Sequence, residues 1–269
     1  MKILLFSGSH SRHLFVHKAI TSLDIDYKAI VMKRESLIPE VPHKLGEKDI
    51  RNFKKHFQDR QRIENEAYSK HEIKDVFDED KTLLLSPSEL NSKTVINKVK
   101  EFDPDIAFIF GCDLIREPLL STLPKYKINL HLGLSPWYRG SATLFWPFYQ
   151  LEPQFAGITF HNITNIADAG DIFHQSVPEL SVGDGIHDVS VKAVKKAKCE
   201  LVEMINIFNL KRELYLNNQK TSGRVWRDKD FNPYHLRLIY DLYNNQIVDE
   251  YLKGNLGSHK PRLIQGLQV

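Results

Sequence analysis

The chain has 269 residues, 42% of them apolar and 26% charged, with 37 Lys and Arg against 34 Asp and Glu for a formal net charge of +3. That is globular composition with enough chain to bury a core unaided, so a disulfide scaffold is excluded. The near balance of charge argues against a dedicated nucleic-acid binder, which needs a basic face. Cys112 and Cys199 make no C-x-x-C pair, so no metal site or redox pair is expected, and a reducing compartment, the cytoplasm, is. The apolar run at the start is too short for a signal-peptide core, and no later run reaches the roughly 18 residues of a membrane span.

Residues 2–6 (KILLF) read as a short strand, 7–9 (SGS) as a tight turn, and the apolar spacing of Leu14, Val16, Ile20 and Leu23 as a helix. A second strand is expected at 29–32. Residues 47–81 carry dense mixed charge with Ile50, Phe53, Phe57, Ile63 and Ala67 at helical spacing, which predicts an inserted amphipathic helix or helix pair, either a solvated surface element or a lid. A helix over 88–102 then leads to 106–110 (IAFIF), a continuous apolar strand of the kind buried on both faces in a parallel sheet. Strands follow at 127–130, 156–164 and 172–177, and a long helix with near-helical apolar spacing begins after Asp184, placed to cap it. The remainder offers a short strand at 224–226 and a helix opened by Asn232-Pro233 and running to Gly254. The expectation is an α/β fold with a doubly wound, mainly parallel sheet over 1–210, including the 47–81 insertion, and a small α+β extension over 211–269. Trp226, Phe231, Leu236, Ile239, Leu242 and Tyr243 give that extension an apolar face that must dock on its own domain or on a second copy, so a homodimer is expected.

Ligands of such sheets lie beyond the carboxyl ends of the strands, and the densest chemistry falls there. Asn129 and His131 stand two apart at a strand end, hence on one side of it, and Asp168 follows in the turn Asp168-Ala169-Gly170. An amide can stabilise an oxyanion, an imidazole can move a proton near neutral pH, and a carboxylate can orient the imidazole. The strand-end loop 7–13 opens a helix, where Ser9, His10 and Arg12 suit a phosphate.

The order Asn129-x-His131, the loop ending Tyr138-Arg139-Gly140, and Asp168-x-Gly170 together resemble the folate-dependent formyltransferases, the family of glycinamide ribonucleotide, methionyl-tRNA and nucleotide-sugar formyltransferases. The resemblance covers about 1–208, with the motifs confined to about 106–178. It implies Asn129, His131 and Asp168 as the catalytic set and N10-formyltetrahydrofolate as formyl donor. It further implies that the main chain of Gly111, Cys112, Asp113, Leu114 and Ile115, with Thr164 and Ile166 in the loop before Asp168, holds the pterin. The stretch 141–147 (SATLFWP) is similar to formyltransferases acting on nucleotide-linked amino sugars, which implies such an acceptor, destined for a surface polysaccharide. Trp137 and Tyr138 belong to an aromatic cluster that is either core or dimer interface or a stacking surface for the substrate, and Arg139 either touches the acceptor or braces its loop. Methionyl-tRNA and glycinamide ribonucleotide stand as alternative acceptors, and a folate-binding regulator or a formylfolate hydrolase as the alternatives of another class. His161 and His174 read as supporting residues.

Overall fold

The computed structural model describes residues 1–34, 38–69, 71–219 and 223–268. In chain order the elements are β1 (Lys2–Gly8), α1 (Ser11–Thr21), β2 (Asp26–Met32), α2 (Glu47–Tyr68), β3 (Thr82–Leu85), α3 (Lys93–Phe102), β4 (Ile106–Phe110), α4 (Leu119–Thr122) and β5 (Tyr126–His131). They continue as β6 (Arg139–Gly140), α5 (Trp146–Tyr149), β7 (Ile158–Asn162), β8 (Ile172–Ser176), α6 (Ile186–Lys211), β9 (Val225–Trp226) and α7 (Ile247–Leu252). Seven strands form one sheet in the order β3-β2-β1-β4-β5-β7-β8, parallel from β3 to β5 and antiparallel at the last two joints.

The apolar run of β4 shows why the sheet is covered on both sides. Ile106, Phe108 and Phe110 pack on one face with residues of α1 and α6, while Ala107 and Ile109 pack on the other with α3 and α4, as the two-residue period of a strand demands. A third apolar cluster is not part of the sheet. It gathers Leu134, Tyr138, Phe145 and Trp146 with Trp226, Leu236, Ile239 and Ile247. Trp146 and Trp226 stack with ring centroids 4.0 Å apart, and β9 pairs with β6, so much of the C-terminal segment's apolar face is covered by its own chain, although Leu242 stays exposed.

The helix expected to run from Asn232 to Gly254 is instead broken. Asn232 does cap its start, accepting from Tyr234 N at 3.0 Å, and α7 ends the stretch, but Asn244 and Asn245 between them have φ of 47° and 61°. Left-handed backbone ends a helix, and asparagine is among the few residues that tolerate it. The Asn245 side chain accepts from Ile186 N at 3.1 Å, so the break anchors the start of α6. The cap there is Gly185 rather than Asp184, which accepts from Ser181 N and Lys192.

The insertion is α2 followed by two short turns at Ile73–Asp75 and Glu79–Lys81. Asp49, Asn52, Phe53 and His56 fall three or four apart, and Glu64 and Tyr68 continue the buried face two turns on. It packs on α1 and α6 and is tied to the C-terminal segment. Arg237 makes two 2.7 Å bonds to Asp49, Asn52 donates to Asp241 at 3.1 Å, and His56 Nδ1 lies 2.9 Å from the Tyr240 hydroxyl. In this structure α2 is a packed wall.

Candidate active site

β5 ends where the sheet changes from parallel to antiparallel, and Asn129 and His131 share one side of it. β7 runs antiparallel beside it with His161 opposite Asn129. Asn129 Nδ2 lies 3.1 Å from His161 Nε2, and His161 Nδ1 donates to the Asn162 carbonyl at 3.0 Å. His131 Nε2 lies 2.7 Å from the Tyr138 carbonyl. A carbonyl oxygen only accepts, so Nε2 carries the hydrogen.

Asp168 joins the two imidazoles. Its Oδ1 is 3.5 Å from His131 Nδ1 and 3.3 Å from His161 Nε2, while its Oδ2 accepts from Gly140 N at 2.8 Å. Each imidazole thus spends one N–H on a main-chain carbonyl and presents its other nitrogen to the same carboxylate oxygen. A proton taken up at His131 Nδ1 has Asp168 as its counter-charge. Burial lowers the pKa of His131 below its ordinary 6.5, against the opposing pull of Asp168, so the ring rests neutral near neutral pH. Burial alone would push the Asp168 carboxyl up, but His131, His161 and the Gly140 amide outweigh it and hold it well below the usual carboxylate range.

The backbone that presents Asp168 is tightly specified. Asp168 has φ of 48°, a conformation sustained only where the surroundings fix it. Its carbonyl accepts from Ser135 Oγ at 3.3 Å and from Gln219 Nε2 at 3.0 Å, and Gln219 also reaches the Gly170 carbonyl at 2.6 Å. Gly140, which donates to the carboxylate, has φ of 92°, and a Cβ there would collide with the Trp226 carbonyl oxygen. Glycine is required at that position.

These groups form one end of a cavity of about 350 Å³. Gly111, Cys112, Asp113, Leu114 and Ile115 line it from the loop after β4, and Thr164 and Ile166 from the loop before Asp168. The expected pterin-holding residues and the expected catalytic residues therefore face one space. Burial pushes the Cys112 thiol up to about 12, which leaves it an unreactive filler. Arg34, unremarked in the sequence, clamps the first loop. Its Nε donates to the Gly111 carbonyl at 2.8 Å and its Nη1 to Asp113 at 2.8 Å.

The expected substrate contacts are not brought together. Trp137 packs edge-on against Phe155, and the Tyr138 hydroxyl donates to Glu152 at 2.7 Å; neither residue lines the cavity. Arg139 is buried and donates through Nε and Nη2 to the Ala167 carbonyl at 3.2 and 2.7 Å, so it braces the loop carrying Asp168. Ser9 Oγ accepts from Arg34 N at 2.8 Å, His10 stacks on His13, and Arg12 turns to Glu64 at 3.5 Å. The three do not converge on one anion. His161, read from the sequence as a supporting residue, supports this site: the β5–β7 register places it against both Asn129 and Asp168. His174 lies away from this cluster, 3.5 Å from Glu200. Among the described residues, no His, Cys, Asp and Glu cluster could hold a metal ion, and no helix is long and apolar enough to cross a membrane.

A family profile described as formyl transferase matches residues 51–205, more than half of the chain. Among solved structures, a 4-N formyltransferase from Francisella tularensis is 18% identical over 86% of this chain and 77% of its own, with a TM-score of 0.55. The formyltransferase PseJ from Anoxybacillus kamchatkensis, in complex with UDP-4,6-dideoxy-4-formamido-L-AltNAc and tetrahydrofolate, is 17% identical over 92% of this chain and 96% of its own, with a TM-score of 0.52. Glycinamide ribonucleotide transformylase 1 from Symbiobacterium toebii is 19% identical over 81% and 94%, with a TM-score of 0.52. These likenesses show a shared fold.

Proposed function

This chain belongs to the formyl transferase family, and from that premise we propose that it transfers the formyl group of N10-formyltetrahydrofolate to the amine of a nucleotide-linked amino sugar in the cytoplasm. The observation that carries the reading is the Asn129, His131, Asp168 cluster lining one cavity together with the loops at 111–115 and 163–167 and with apolar residues such as Ile109, Leu130 and Leu132. That lining suits a flat, uncharged heteroaromatic ring. Ile109, Leu114, Ile163 and Ile166 supply apolar surface, and Asp113 and Asp168 are the charged side chains among the lining residues. A similar structure with tetrahydrofolate and a formamido-sugar nucleotide bound supports the same donor and acceptor class.

When bound, the folate supplies the formyl carbon on a nitrogen leaving group. The protein's own part is charge and proton management. The Asn129 amide can donate to the formyl oxygen as negative charge develops there, which requires it to exchange its partner His161 for the substrate. His131 Nε2 is committed to the Tyr138 carbonyl, so Nδ1 is the atom that takes the proton lost by the attacking amine. The resulting imidazolium faces Asp168 Oδ1, whose ionised state is preserved by the Gly140 amide and the neighbouring imidazoles. Nδ1 then returns the proton to the departing nitrogen, so the ring ends neutral as it began. No covalent enzyme intermediate is needed.

Tetrahydrofolate release from N10-formyltetrahydrofolate, followed by absorbance with nucleotide-linked amino sugars, glycinamide ribonucleotide, charged initiator methionyl-tRNA and water alone, tests this reading. Release that depends on an amino sugar is expected. Release dependent on glycinamide ribonucleotide or methionyl-tRNA would reassign the acceptor, and release without any acceptor would make the protein a hydrolase.

A further inference from the structure

The neutral imidazole of His131 carries one hydrogen, and two acceptors compete for it. The Tyr138 carbonyl lies 2.7 Å from Nε2 and the Asp168 carboxylate 3.5 Å from Nδ1. The acceptor that wins sets the tautomer. With the hydrogen on Nε2, Nδ1 keeps the lone pair that takes up the amine's proton. With the hydrogen on Nδ1, the carboxylate is satisfied and that lone pair is gone. Proton transfer therefore depends on where the Tyr138 carbonyl stands, and its approach is close. A Cβ on Gly133 would come within 2.6 Å of both His131 Nε2 and the Tyr138 carbonyl oxygen, so the bond forms over a residue that must lack a side chain.

The carbonyl is carried by the loop 132–138, between β5 and β6. One bond inside the loop, from Tyr138 N to the Leu134 carbonyl at 2.8 Å, shapes its turn. Two more lead out of it, through one side chain each, to a single distant stretch, residues 257–265. At Ser135 the carbonyl accepts from Gln175 Nε2 at 2.6 Å. Gln175 stands on β8, the end strand of the sheet, and its Oε1 accepts from Ile264 N at 3.3 Å. An amide group carries its oxygen and its nitrogen on opposite sides, so once Ile264 holds the oxygen the nitrogen is turned to Ser135. The main chain of Gln175 binds the same stretch, donating to the Ile264 carbonyl at 2.8 Å and accepting from Gln265 Nε2 at 3.2 Å. At Tyr138 the hydroxyl donates to Glu152 Oε2 at 2.7 Å, and Glu152 Oε1 lies 3.1 Å from His259 Nε2. Gln154 steadies His259 by donating to the carbonyls of Gly257 and His259 at 3.3 and 3.0 Å.

Residues 257–265 form no helix or strand, and none of them is buried. With little apolar burial to hold it, the stretch keeps its place through these bonds. Neither it nor Glu152 nor Gln175 lines the catalytic cavity, so an effect on the chemistry reaches His131 through the loop. We propose that residues 257–265 are a positioning element for the catalytic imidazole: through Glu152 and Gln175 they fix the loop 132–138, and the Tyr138 carbonyl at its end keeps the hydrogen of His131 on Nε2. The inference rests on the formyl-transfer reading above for the role of His131 and is independent of which amine accepts the formyl group.

The test is Glu152→Ala in the full chain, with thermal melting and far-ultraviolet dichroism to verify folding. In protein labelled with nitrogen-15 histidine, the ring signals of His131, assigned by their absence in His131→Asn, should show the hydrogen on Nε2 in the wild type and a share of it on Nδ1 in Glu152→Ala. In the same variant kcat should fall about tenfold, the worth of one bond to a carboxylate, while KM for both substrates stays put. Glu152→Gln, which keeps an acceptor for the Tyr138 hydroxyl, should restore most of both. His259→Ala, at a side chain more than half exposed, tests the distant stretch itself and should lower kcat about threefold with the same displacement of the ring signals. It also takes the place of Glu152→Ala if that variant fails to fold. Wild-type ring signals in folded Glu152→Ala overturn the proposal, whether or not kcat falls, because a loss without a change of tautomer would make the contacts merely structural. An effect in Glu152→Ala with none in His259→Ala would confine the device to Glu152 and overturn the part given to residues 257–265. The formyl-transfer reading fails separately, if the wild type releases no tetrahydrofolate with any acceptor. The ring signals then decide the proposal alone, since they need no turnover.

Discussion

In the catalytic cavity Asn129, His131, His161 and Asp168 bond one another and the main chain around them, whereas across Leu132, in a second cavity of about 500 Å³, the side chains of Glu64, Arg12 and His187 each keep a buried atom without a partner. The first arrangement is fully hydrogen-bonded within the protein, and under the proposed function only Asn129 has to trade a partner, His161, for the substrate. The second leaves three buried polar atoms unpaired. The sources of the two walls differ as well. The catalytic side is made by the sheet and its strand-end loops, while the other side depends on α2 and the C-terminal segment, held together by the Arg237–Asp49 and His56–Tyr240 contacts.

The sharpest way to break this contrast is at the proton-handling atom. His131→Asn should lower kcat by about a thousandfold, the range of a lost general acid–base group, while acceptor and formylfolate binding by calorimetry change little. A loss expressed in binding instead would remove His131 from proton handling. Asp168→Asn should cost about a hundredfold in kcat through the same route, and its pH profile carries a sign. Neutral His131 is the active form, so kcat/KM rises with pH through its pKa. Asp168 raises that pKa, so removing its charge should move the acid limb to lower pH. A limb that stays in place would show that Asp168 does not act through His131.

The second cavity leaves its mark on stability. Burial depresses His56 from 6.5 to about 4, so between those values the unfolded chain binds a proton that the folded chain refuses. Stability from this residue is full above the unfolded value and is lost as pH falls from 6.5 towards 4, levelling off below. The slope is at most one proton, roughly 1.4 kcal/mol per pH step of one. His56→Gln should flatten urea midpoints plotted against pH over that window, and an unaltered slope would mean that the ring is solvated. The smallest effect is expected at Arg34. Its bonds to the Gly111 carbonyl and Asp113 order the donor loop, so Arg34→Ala should raise the formylfolate KM about fivefold, the cost of roughly one net hydrogen bond, with the acceptor KM unaffected.

The contrast between the two cavities also marks where the sequence is legible. Asn129 and His131 on a strand and Asp168 in its turn are local features, readable from spacing and from the rule that sites lie at strand ends, whereas the roles of the loops at 111–115 and 164–168 are implied only by the family resemblance. The role of His161 depends on the antiparallel register between β5 and β7, which no single segment encodes. The second cavity depends on longer-range contacts still, with α2, α6 and the C-terminal segment meeting from residues 57 to 231. Tyr138 shows how tertiary packing decides between two readings of one aromatic. Aromatic side chains close to a catalytic motif look available to a ligand, but Tyr138 is drawn into the Trp146 and Trp226 cluster and gives the site only its main-chain carbonyl. Arg139 likewise satisfies its guanidinium on the Ala167 carbonyl instead of reaching outward.

The most direct test of the central claim follows the formyl group itself. Wild-type protein is incubated with N10-formyltetrahydrofolate carrying an isotopically labelled formyl carbon and with nucleotide-linked amino sugars, and the products are resolved by NMR and mass spectrometry. The label should appear as a formamide on the sugar nitrogen, and His131→Asn should abolish its appearance. Label recovered as free formate at the same rate with and without the sugar would contradict transfer to an amine.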